Sequence, residues 1–445
     1  MDTIVSRTPY DGQLCRTRTL ESSYATVQCI LGDQSPRLRM LFVSDELPFP
    51  HDSGYRLRMA QHLRGLSQVA DVDVYCAVLD RQTLKQVPSP EQLGVSRLRV
   101  QLAGWRARGA STTAAWLLGS RPRQIANRDW NAARADLRRW ARPDYDLVWF
   151  SHAGPFSVFS EDLPLPSVVD LDNLEDVLLK QRRAAERGGR RRLRWDESAV
   201  RALERIDEPR WTALNASLSR ALAVVVCSEL DRTRLGLPNT VVVPNGYRLD
   251  TPPVGRPWPW QGPPSLVLVG NMAYGPNEDA AWWCATRVLP IVHRTRPDVE
   301  LRIVGQDPHG KLARRLSGLA GVTVVGSVPD VRPHLAAASV AVVPVRYGSG
   351  TRLKVLEAFA HRVPVVSTAL GSEGLGVTHD AELLVADEPG AFAAACLVLL
   401  DDEHQRRRLT AAAEAVWRSR FDADLHSARV AALVRELAVT ARIAQ

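Results

Sequence analysis

The residues with the clearest chemical potential form a loop of small side chains followed by a predicted helix. The loop consists of Gly348, Ser349, Gly350 and Thr351. The helix is predicted to begin near Arg352, after an apolar strand that ends at Val343. Small residues before a helix let backbone N–H groups approach a phosphate, and the positive end of the helix dipole favours an anion. The pattern therefore indicates a phosphate-binding turn.

Two cations and a carboxylate lie in the first turns of this helix. Arg352 and Lys354 add positive charge at the end where a phosphate would bind. Lys354 and Glu357 are three residues apart and share one helix face, so the cation can hold a diphosphate while the carboxylate accepts hydrogen bonds from ribose hydroxyls. An ordinary surface pair, worth about 0.3 kcal/mol, explains the spacing equally well. The segment matches neither the Walker A loop nor the GxGxxG dinucleotide fingerprint.

Composition bounds the class of protein in which these residues occur. The chain has 445 residues, 45% hydrophobic and 24% charged, which is ordinary for a soluble globular protein of two or three domains. It contains neither a run of about 18 uncharged apolar residues nor a visible secretory signal, so a cytoplasmic location is expected. Its six cysteines are scattered and its histidines lack metal-ligand spacing, so neither disulfides, a metal nor another cofactor is expected.

Short apolar runs alternate with helical patterns in both halves of the chain. The runs at 40–44 and 72–78 flank a helical segment, which is a βαβ unit and implies parallel strands. The rhythm restarts at Ser265 and predicts an α/β fold of two doubly wound parallel-sheet domains that face an interdomain cleft. The expected divisions are a loosely attached extension at 1–36, a first domain at 37–248, a proline-rich linker at 249–264, a second domain at 265–425 and a helix at 426–445 that crosses back to the first domain.

Several further motifs occur in a fixed order along the chain. They are Ser44–Pro50 with Gly54 and Arg56, Val243–Gly246, Val269–Ala280, Ile303–Gly305, Val325–Val331, Gly350–Ala358, Pro364–Thr368 and Gly371–Gly374. From about Arg39 to Phe421 their order and spacing resemble those of the group 1, GT-B-fold glycosyltransferases, in the variant found in bacterial exopolysaccharide and secondary-metabolite clusters. The resemblance implies a second domain that binds a nucleotide-diphosphate sugar and a first domain that binds an unknown acceptor.

The resemblance also implies roles for individual residues. Arg352 and Lys354 would neutralise the diphosphate leaving group, and His152 would lie near the transferring sugar; these three are the expected catalytic residues. Glu357 would hold the ribose. The other expected donor-binding residues are Gly54, Asn271, Val328, Ser349, Gly350 and Thr351, with the backbone around Val328 facing the base.

Two positions depart from the family pattern, and they bear on the implied reaction. Ser349 stands where many members have a glutamate that contacts the donor sugar, and Asn271 stands where many have an arginine. The second departure shifts phosphate binding onto Arg352 and Lys354. The implied transfer retains the anomeric configuration without a metal, and the leaving phosphate takes the acceptor's proton. A nucleotide-sugar epimerase of the same fold and a non-catalytic nucleotide-sugar-binding scaffold remain alternatives.

Two other features have both a functional and a structural interpretation. Asp170 and Asp172 form a DxD sequence, which holds a metal in a different glycosyltransferase fold, but a capped strand end is the favoured interpretation. Residues Lys180–Arg205 include ten basic and four acidic residues and would suit an anionic lipid surface at the inner membrane face or an anionic acceptor, although a solvated helix is the favoured interpretation. Because the positive charge is local, no nucleic-acid partner is expected.

Overall fold

The computed structural model describes residues 37–79, 81, 83–106, 110–187, 195–249, 262–307, 310–350 and 352–443. The expected extension at 1–36, most of the expected linker and Thr351 therefore lie outside the described residues. None of the described helices combines the length and the apolar character that a membrane span requires.

The described strands are mostly short apolar runs, as the sequence predicts. They are β1 (Leu38–Ser44), β2 (Ala70–Val78), β3 (Arg97–Leu102), β4 (Gly104–Trp105), β5 (Arg128–Asp129), β6 (Leu147–Phe150), β7 (Ser167–Leu171), β8 (Ala223–Val226), β9 (Thr240–Val242), β10 (Ser265–Val269), β11 (Glu300–Val304), β12 (Val322–Gly326), β13 (Val340–Val343), β14 (Val365–Ser367) and β15 (Leu384–Val385). Residues such as Met40, Val148 and Val225 are fully buried, because helices cover both faces of the sheets.

The α-helices alternate with these strands. They are α1 (Gly54–Ser67), α2 (Pro90–Leu93), α3 (Ala110–Leu118), α4 (Arg123–Ala126), α5 (Asn131–Trp140), α6 (Ala153–Phe159), α7 (Glu175–Arg187), α8 (Trp195–Ser217), α9 (Glu229–Leu235), α10 (Gly275–Trp283), α11 (Leu289–Val292), α12 (Lys311–Leu316), α13 (Arg332–Ala336), α14 (Leu353–Ala360), α15 (Pro389–Asp401), α16 (Glu403–Val416) and α17 (Ala423–Ile443). Local capping fixes several starts; the Ser53 hydroxyl, for example, accepts a hydrogen bond from the backbone N–H of Arg56 at the start of α1.

Two parallel sheets organise the described chain. The first has seven strands in the order β3-β2-β1-β6-β7-β8-β9, and the second has six in the order β12-β11-β10-β13-β14-β15. In each sheet the order reverses beside a central strand, which is the doubly wound arrangement that places ligands beyond the carboxyl ends of the strands. The predicted fold class, an α/β fold with two doubly wound parallel-sheet domains, is confirmed.

The last helix returns to the first domain and packs on α1. The Ser427 hydroxyl donates to the backbone carbonyl of Gln61 at 3.1 Å. A side chain at Gly65 would lie 2.4 Å from the carbonyl oxygen of Ser427, so the two helices approach closely. This helix begins at Ala423, a few residues before the expected boundary.

A buried histidine in this contact predicts that acid weakens the fold. Burial and the nearby cation of Arg429 lower the pKa of His426 to about 4. Because the unfolded pKa is about 6.5, the stabilisation is complete above that pH and is lost as the pH falls towards 4. We expect the free energy of unfolding of the wild type to fall by about 2 kcal/mol more than that of His426→Leu between pH 7 and pH 5 in urea titrations. Parallel pH profiles for the two proteins would contradict this prediction.

Candidate functional site

The phosphate-binding turn predicted from the sequence faces the first domain. The helix α14 begins at Leu353, and Arg352 stands at its N-cap position. A Cβ atom at Gly54, the first residue of α1, would lie 3.3 Å from Cδ1 of Leu353. A Cβ atom at Gly350, where φ is +77°, would lie 2.3 Å from the backbone oxygen of Asp172 in the first domain. The N-terminal ends of α1 and α14 therefore meet across the cleft.

Arg352 carries hydrogen-bond donors that no described residue accepts. Its side chain is buried, and Nη1 donates to the backbone oxygen of Ser349 at 2.7 Å. Its Nε and Nη2 atoms and the Ser349 hydroxyl are also buried but lack a partner among the described residues. Burial lowers the pKa of this guanidinium. Unpaired buried donors are costly, so this arrangement suits an anionic ligand that accepts from them.

Lys354 is held by two asparagines that line the same wall. Its Nζ donates to Oδ1 of Asn277 at 2.6 Å, and Nδ2 of Asn277 donates to the backbone oxygen of Asn271 at 2.9 Å. Burial and the neighbouring Arg352 lower the pKa of Lys354 to about 7. Asn271 contributes its backbone to this chain, whereas its side chain accepts from the N–H of Ala273. A bound diphosphate would return Lys354 to its charged form.

Glu357 lies one turn further along α14. Burial raises its pKa to about 7, against the hydrogen bond from Tyr247 and the attraction of Lys354. The Tyr247 hydroxyl also lies 3.0 Å from Nε2 of His361. Asp330, in the loop after β12 that also contains the expected base-facing position Val328, adds to the rise in this pKa. In its ionised form this carboxyl group can accept hydrogen bonds from a ligand.

His152 lies at the carboxyl end of β6 and is the N-cap residue of α6. Its Nδ1 accepts from the backbone N–H of Gly154 at 3.4 Å, so the ring proton of the neutral form belongs on Nε2. Nε2 lies 3.8 Å from Oδ1 of Asp172. Burial alone would lower the pKa of His152, but Asp172 and Asp45 outweigh burial and raise it. The histidine is therefore an oriented group in a carboxylate-lined wall.

Of the residues that support this wall, the sequence analysis included Asp45 in the motif Ser44–Pro50 but did not single out Tyr55 or Ser151. The Tyr55 hydroxyl lies 2.9 Å from the Ser151 hydroxyl and donates to Asp45 at 3.3 Å. By contrast, Asp170 is directed into the core, where Nη2 of Arg58 contacts it at 2.6 Å. The first aspartate of the DxD sequence is thus a buried ion-pair partner. Among the described residues, no group of three histidine, cysteine or acidic side chains has the arrangement of a metal site.

Direct bonds join the two domains around these residues. Gln181 of α7 accepts from the backbone N–H of Gly348 at 3.0 Å, which ties the first domain to the small-residue loop. Gln306 donates to Asp52 at 3.0 Å on the opposite side of the cleft. A bidentate ion pair joins Arg234 and Glu373, with the shorter bond at 2.7 Å. The described conformation therefore has the two walls in contact.

The described part of the basic segment Lys180–Arg205 is held by carboxylates. Lys180 pairs with Asp176 at 3.3 Å, and Arg182 pairs with Glu204 at 2.5 Å. These pairs tie α7 to itself and to α8. Residues 188–194 lie outside the described part of the chain. For the described residues of this segment, these ion pairs favour a solvated helix over contact with anionic lipid.

Comparison with known proteins agrees with the recognition made from the sequence. Residues 263–402 match the family model described as Glycosyl transferases group 1. An uncharacterized 44.6 kDa protein in the cps region of Klebsiella pneumoniae is 29% identical over 136 residues, which cover 29% of this chain and 35% of that relative. The alignment thus spans about a third of the length of the curated relative.

Solved structures extend the similarity over both domains. Sucrose-phosphate synthase from Thermosynechococcus elongatus is 20% identical, with a TM-score of 0.65 over 91% of this chain and 100% of that one. HepE from Anabaena, solved in complex with UDP and glucose, is 15% identical, with a TM-score of 0.62 over 90% of this chain and 100% of that one. At these identities the likeness shows the fold. The recognition is confirmed: the second domain carries the group 1 glycosyltransferase domain, and the described chain has the GT-B fold.

Proposed function

We propose that this protein is a glycosyltransferase that moves a sugar from a nucleotide-diphosphate donor to an acceptor. The second domain would bind the donor, and the first domain would bind the acceptor. The observation that carries the proposal is the pair of buried donors on Arg352 that no described residue accepts, beside a loop that closely approaches Asp172 in the first domain. A donor diphosphate accepts from such groups, and its sugar would then extend towards the first domain.

The chemistry requires stabilisation of the departing diphosphate and of an oxocarbenium-like centre. Arg352, Lys354 and the N–H groups of the small-residue loop supply positive charge where the diphosphate leaves, and preorganised charges of this kind act strongly in a dry cleft. We propose that no metal is needed, that the anomeric configuration is retained, and that the leaving phosphate takes the acceptor's proton on the same face. NMR spectra of the product that show an inverted anomeric centre would contradict this mechanism.

The relatives support the donor class and the setting. HepE was solved with UDP and glucose, which agrees with a nucleotide-sugar donor. The Klebsiella relative belongs to a cps region, which agrees with a role in bacterial exopolysaccharide synthesis. A secondary-metabolite cluster remains an alternative setting. The proposal includes a cytoplasmic location with peripheral contact at the inner membrane face.

The donor can be identified by thermal shift. The purified chain is titrated with UDP-, GDP-, dTDP- and ADP-sugars, because a ligand that binds only the folded state raises the Tm more as it binds more tightly. We expect one nucleotide class to stabilise the wild type, and to stabilise a variant with Arg352→Met less at the same concentration. If none of the four stabilises it, the donor-binding proposal fails.

Analysis of the products separates transfer from the two alternatives. A nucleotide-sugar epimerase would convert the donor with no acceptor added. A scaffold would bind the donor without turnover, a case that Ser349 keeps open because it stands where a carboxylate is common in the family. Release of nucleotide together with a glycosylated acceptor supports the transferase.

A substitution at His152 tests whether the first domain contributes to turnover without contributing to nucleotide binding. We expect His152→Asn to lower kcat by about a hundredfold, because the histidine acts at the transferring sugar. Asparagine retains an acceptor for the N–H of Gly154, so α6 keeps its cap. The Kd for the donor nucleotide should stay within a few-fold of wild type. Equal losses in kcat and nucleotide affinity would contradict this role.

A further inference from the structure

Exposed apolar side chains lie on the first domain at its small β4–β5 ribbon and at the end of α3. The exposed fraction is 90% for Leu118, 46% for Leu117 and 60% for Trp105. The short helix α4 lies between α3 and the ribbon strand β5 along the chain. The N–H of Arg123, at its start, donates to Asp207. The N–H of Arg106, which follows β4, donates to the carbonyl of Asn127, just past the end of α4. We call Trp105, Arg106, Leu117, Leu118 and Arg121 the apolar edge.

The leucines of this edge are held in place by a buried neighbour. Trp116 is 2% exposed, and its Nε1 donates to Oδ1 of Asp207 on α8 at 3.2 Å. Arg210, one turn further on α8, lies over the Trp116 ring and donates to the backbone oxygen of Leu117 at 3.0 Å. With Trp116 turned inwards and this carbonyl fixed, the side chain of Leu118 is presented to solvent. The exposure is therefore built into the packing.

The charge around the apolar edge is mainly positive; the exception is Asp129, which is exposed on β5 and pairs with Gly104. Residues 92–128 contain seven arginines and no aspartate or glutamate. Arg106 and Arg121 of the edge are exposed. A second carboxylate, Asp207, contacts Trp116 of α3 and the N–H of Arg123 at the start of α4 and is buried. Apolar tips surrounded by exposed arginines are complementary to an anionic surface with an apolar interior.

The apolar edge lies beside the acceptor-side wall of the cleft. Asp207 and Trp211 are four residues apart on α8, which is about 6 Å along a helix axis. The rings of Trp211 and His152 are 6.1 Å apart. Ile125 of α4 reaches within 4.0 Å of the position that a Cβ atom would take at Gly154. One turn of α8 thus separates Asp207, which contacts Trp116 next to Leu117, from Trp211, which contacts His152.

We propose that the apolar edge inserts into the surface of an anionic lipid bilayer and that the acceptor is anchored in that bilayer. The inference rests on the proposed function and adds the class of acceptor and the surface that reaches it. Leu117, Leu118 and Trp105 enter the boundary between headgroups and acyl chains, and the arginines contact lipid phosphates. The edge, rather than the basic segment Lys180–Arg205, is then the principal membrane contact.

The test is co-sedimentation of the full chain with phosphatidylcholine vesicles prepared with and without phosphatidylglycerol. The variants are Leu118→Asp and the control Ile443→Asp, which alters an isoleucine that is 81% exposed at the end of α17. We expect the wild type and Ile443→Asp to bind the vesicles that contain phosphatidylglycerol. Leu118→Asp should bind them at least about tenfold more weakly, because it removes an apolar insertion and adds a repelled charge.

Three outcomes would overturn the proposal: a wild type that stays in the supernatant, equal losses in the two variants, and a dimer in gel filtration that Leu118→Asp converts to a monomer. The last would mean that a second copy covers the edge. Nucleotide-induced thermal shifts are measured on the same three proteins. If the shifts persist while vesicle binding is absent, the membrane inference alone fails; if they are absent, the donor-binding proposal fails.

Discussion

Replacing Arg352 with methionine is expected to lower transfer by two to three orders of magnitude, since loss of one preorganised donor at a developing anion costs about that much. The affinity for the nucleotide diphosphate should fall about tenfold or more, because a charge-assisted hydrogen bond to phosphate is lost. The thermal stability of the nucleotide-free variant should not fall along with its activity and nucleotide affinity. In the wild type two nitrogens of this buried guanidinium have no partner among the described residues. The methionine variant should therefore melt at the same temperature as the wild type or higher when no nucleotide is present.

Arg346 provides the matched control for this experiment. It lies six residues earlier and pairs with Asp279 through bonds of 2.9 and 2.5 Å at the protein surface. Arg346→Met removes the same group from a partly exposed ion pair, so we expect nearly unchanged transfer and little change in stability. If Arg352→Met keeps wild-type transfer, the charge at α14 is not used for the leaving group. If Arg346→Met loses as much transfer as Arg352→Met, the loss is not specific to the charge at α14.

A methyl group at Gly350 is expected to reduce transfer by about a hundredfold, because a displacement of about 1 Å at a reacting centre has effects of this size. The Cβ atom of Gly350→Ala would lie 2.3 Å from the backbone oxygen of Asp172, and a backbone oxygen cannot swing aside as a flexible side chain can. The donor loop would be pushed away from His152 and its partner Asp172. The affinity for nucleotide should fall less than transfer does, since the side chains of Arg352 and Lys354 remain available to the diphosphate.

The left-handed backbone of Gly350 needs a separate control, because alanine is strained there in any surroundings. Gly318 has φ +85°, and no other atom lies within 4 Å of its hypothetical Cβ. Gly318→Ala therefore introduces a comparable strain of about 1 kcal/mol without the contact across the cleft. Kinetics of both variants separate the two effects. If Gly318→Ala and Gly350→Ala are equally active, approach of the donor loop to Asp172 is not required for transfer.

The fold was predictable because its signals are local. Buried parallel strands are continuous apolar runs, so β1, β10 and β13 are recognisable in the sequence, and small residues before an amphipathic helix mark the start of α14. The predicted helix start near Arg352 agrees with the observed first residue, Leu353. The same local chemistry placed Arg352, Lys354 and Glu357 on one helix.

The partners of these residues were not predictable from spacing. Asn277 is 77 positions from Lys354, and Asp170 is 112 positions from Arg58. No periodicity links residues that only the sheet order brings together. Asn277 lies inside the recognised motif Val269–Ala280, so the motif indicated that the segment matters, but its contact with Lys354 required the structure.

The wall around His152 illustrates the same limit. His152 was singled out by its place after a predicted strand and by resemblance. Tyr55, Ser151 and Asp45 come from separate segments and meet only at the carboxyl edge of the first sheet. Parallel strands end at a common edge, so a list of polar residues that follow predicted strands would have included Ser151 and Asp45. Their hydrogen bonds with Tyr55 of α1 would still have been missing.

The central claim is that α14 and its preceding loop hold the donor's nucleotide diphosphate, and a crystal structure of the chain with the stabilising nucleotide diphosphate tests it most directly. We predict phosphate oxygens within hydrogen-bond distance of Arg352 and Lys354, and ribose hydroxyls bonded to the Glu357 carboxylate. A diphosphate bound elsewhere in the cleft, with Arg352 still bonded only to the carbonyl of Ser349, would contradict the account.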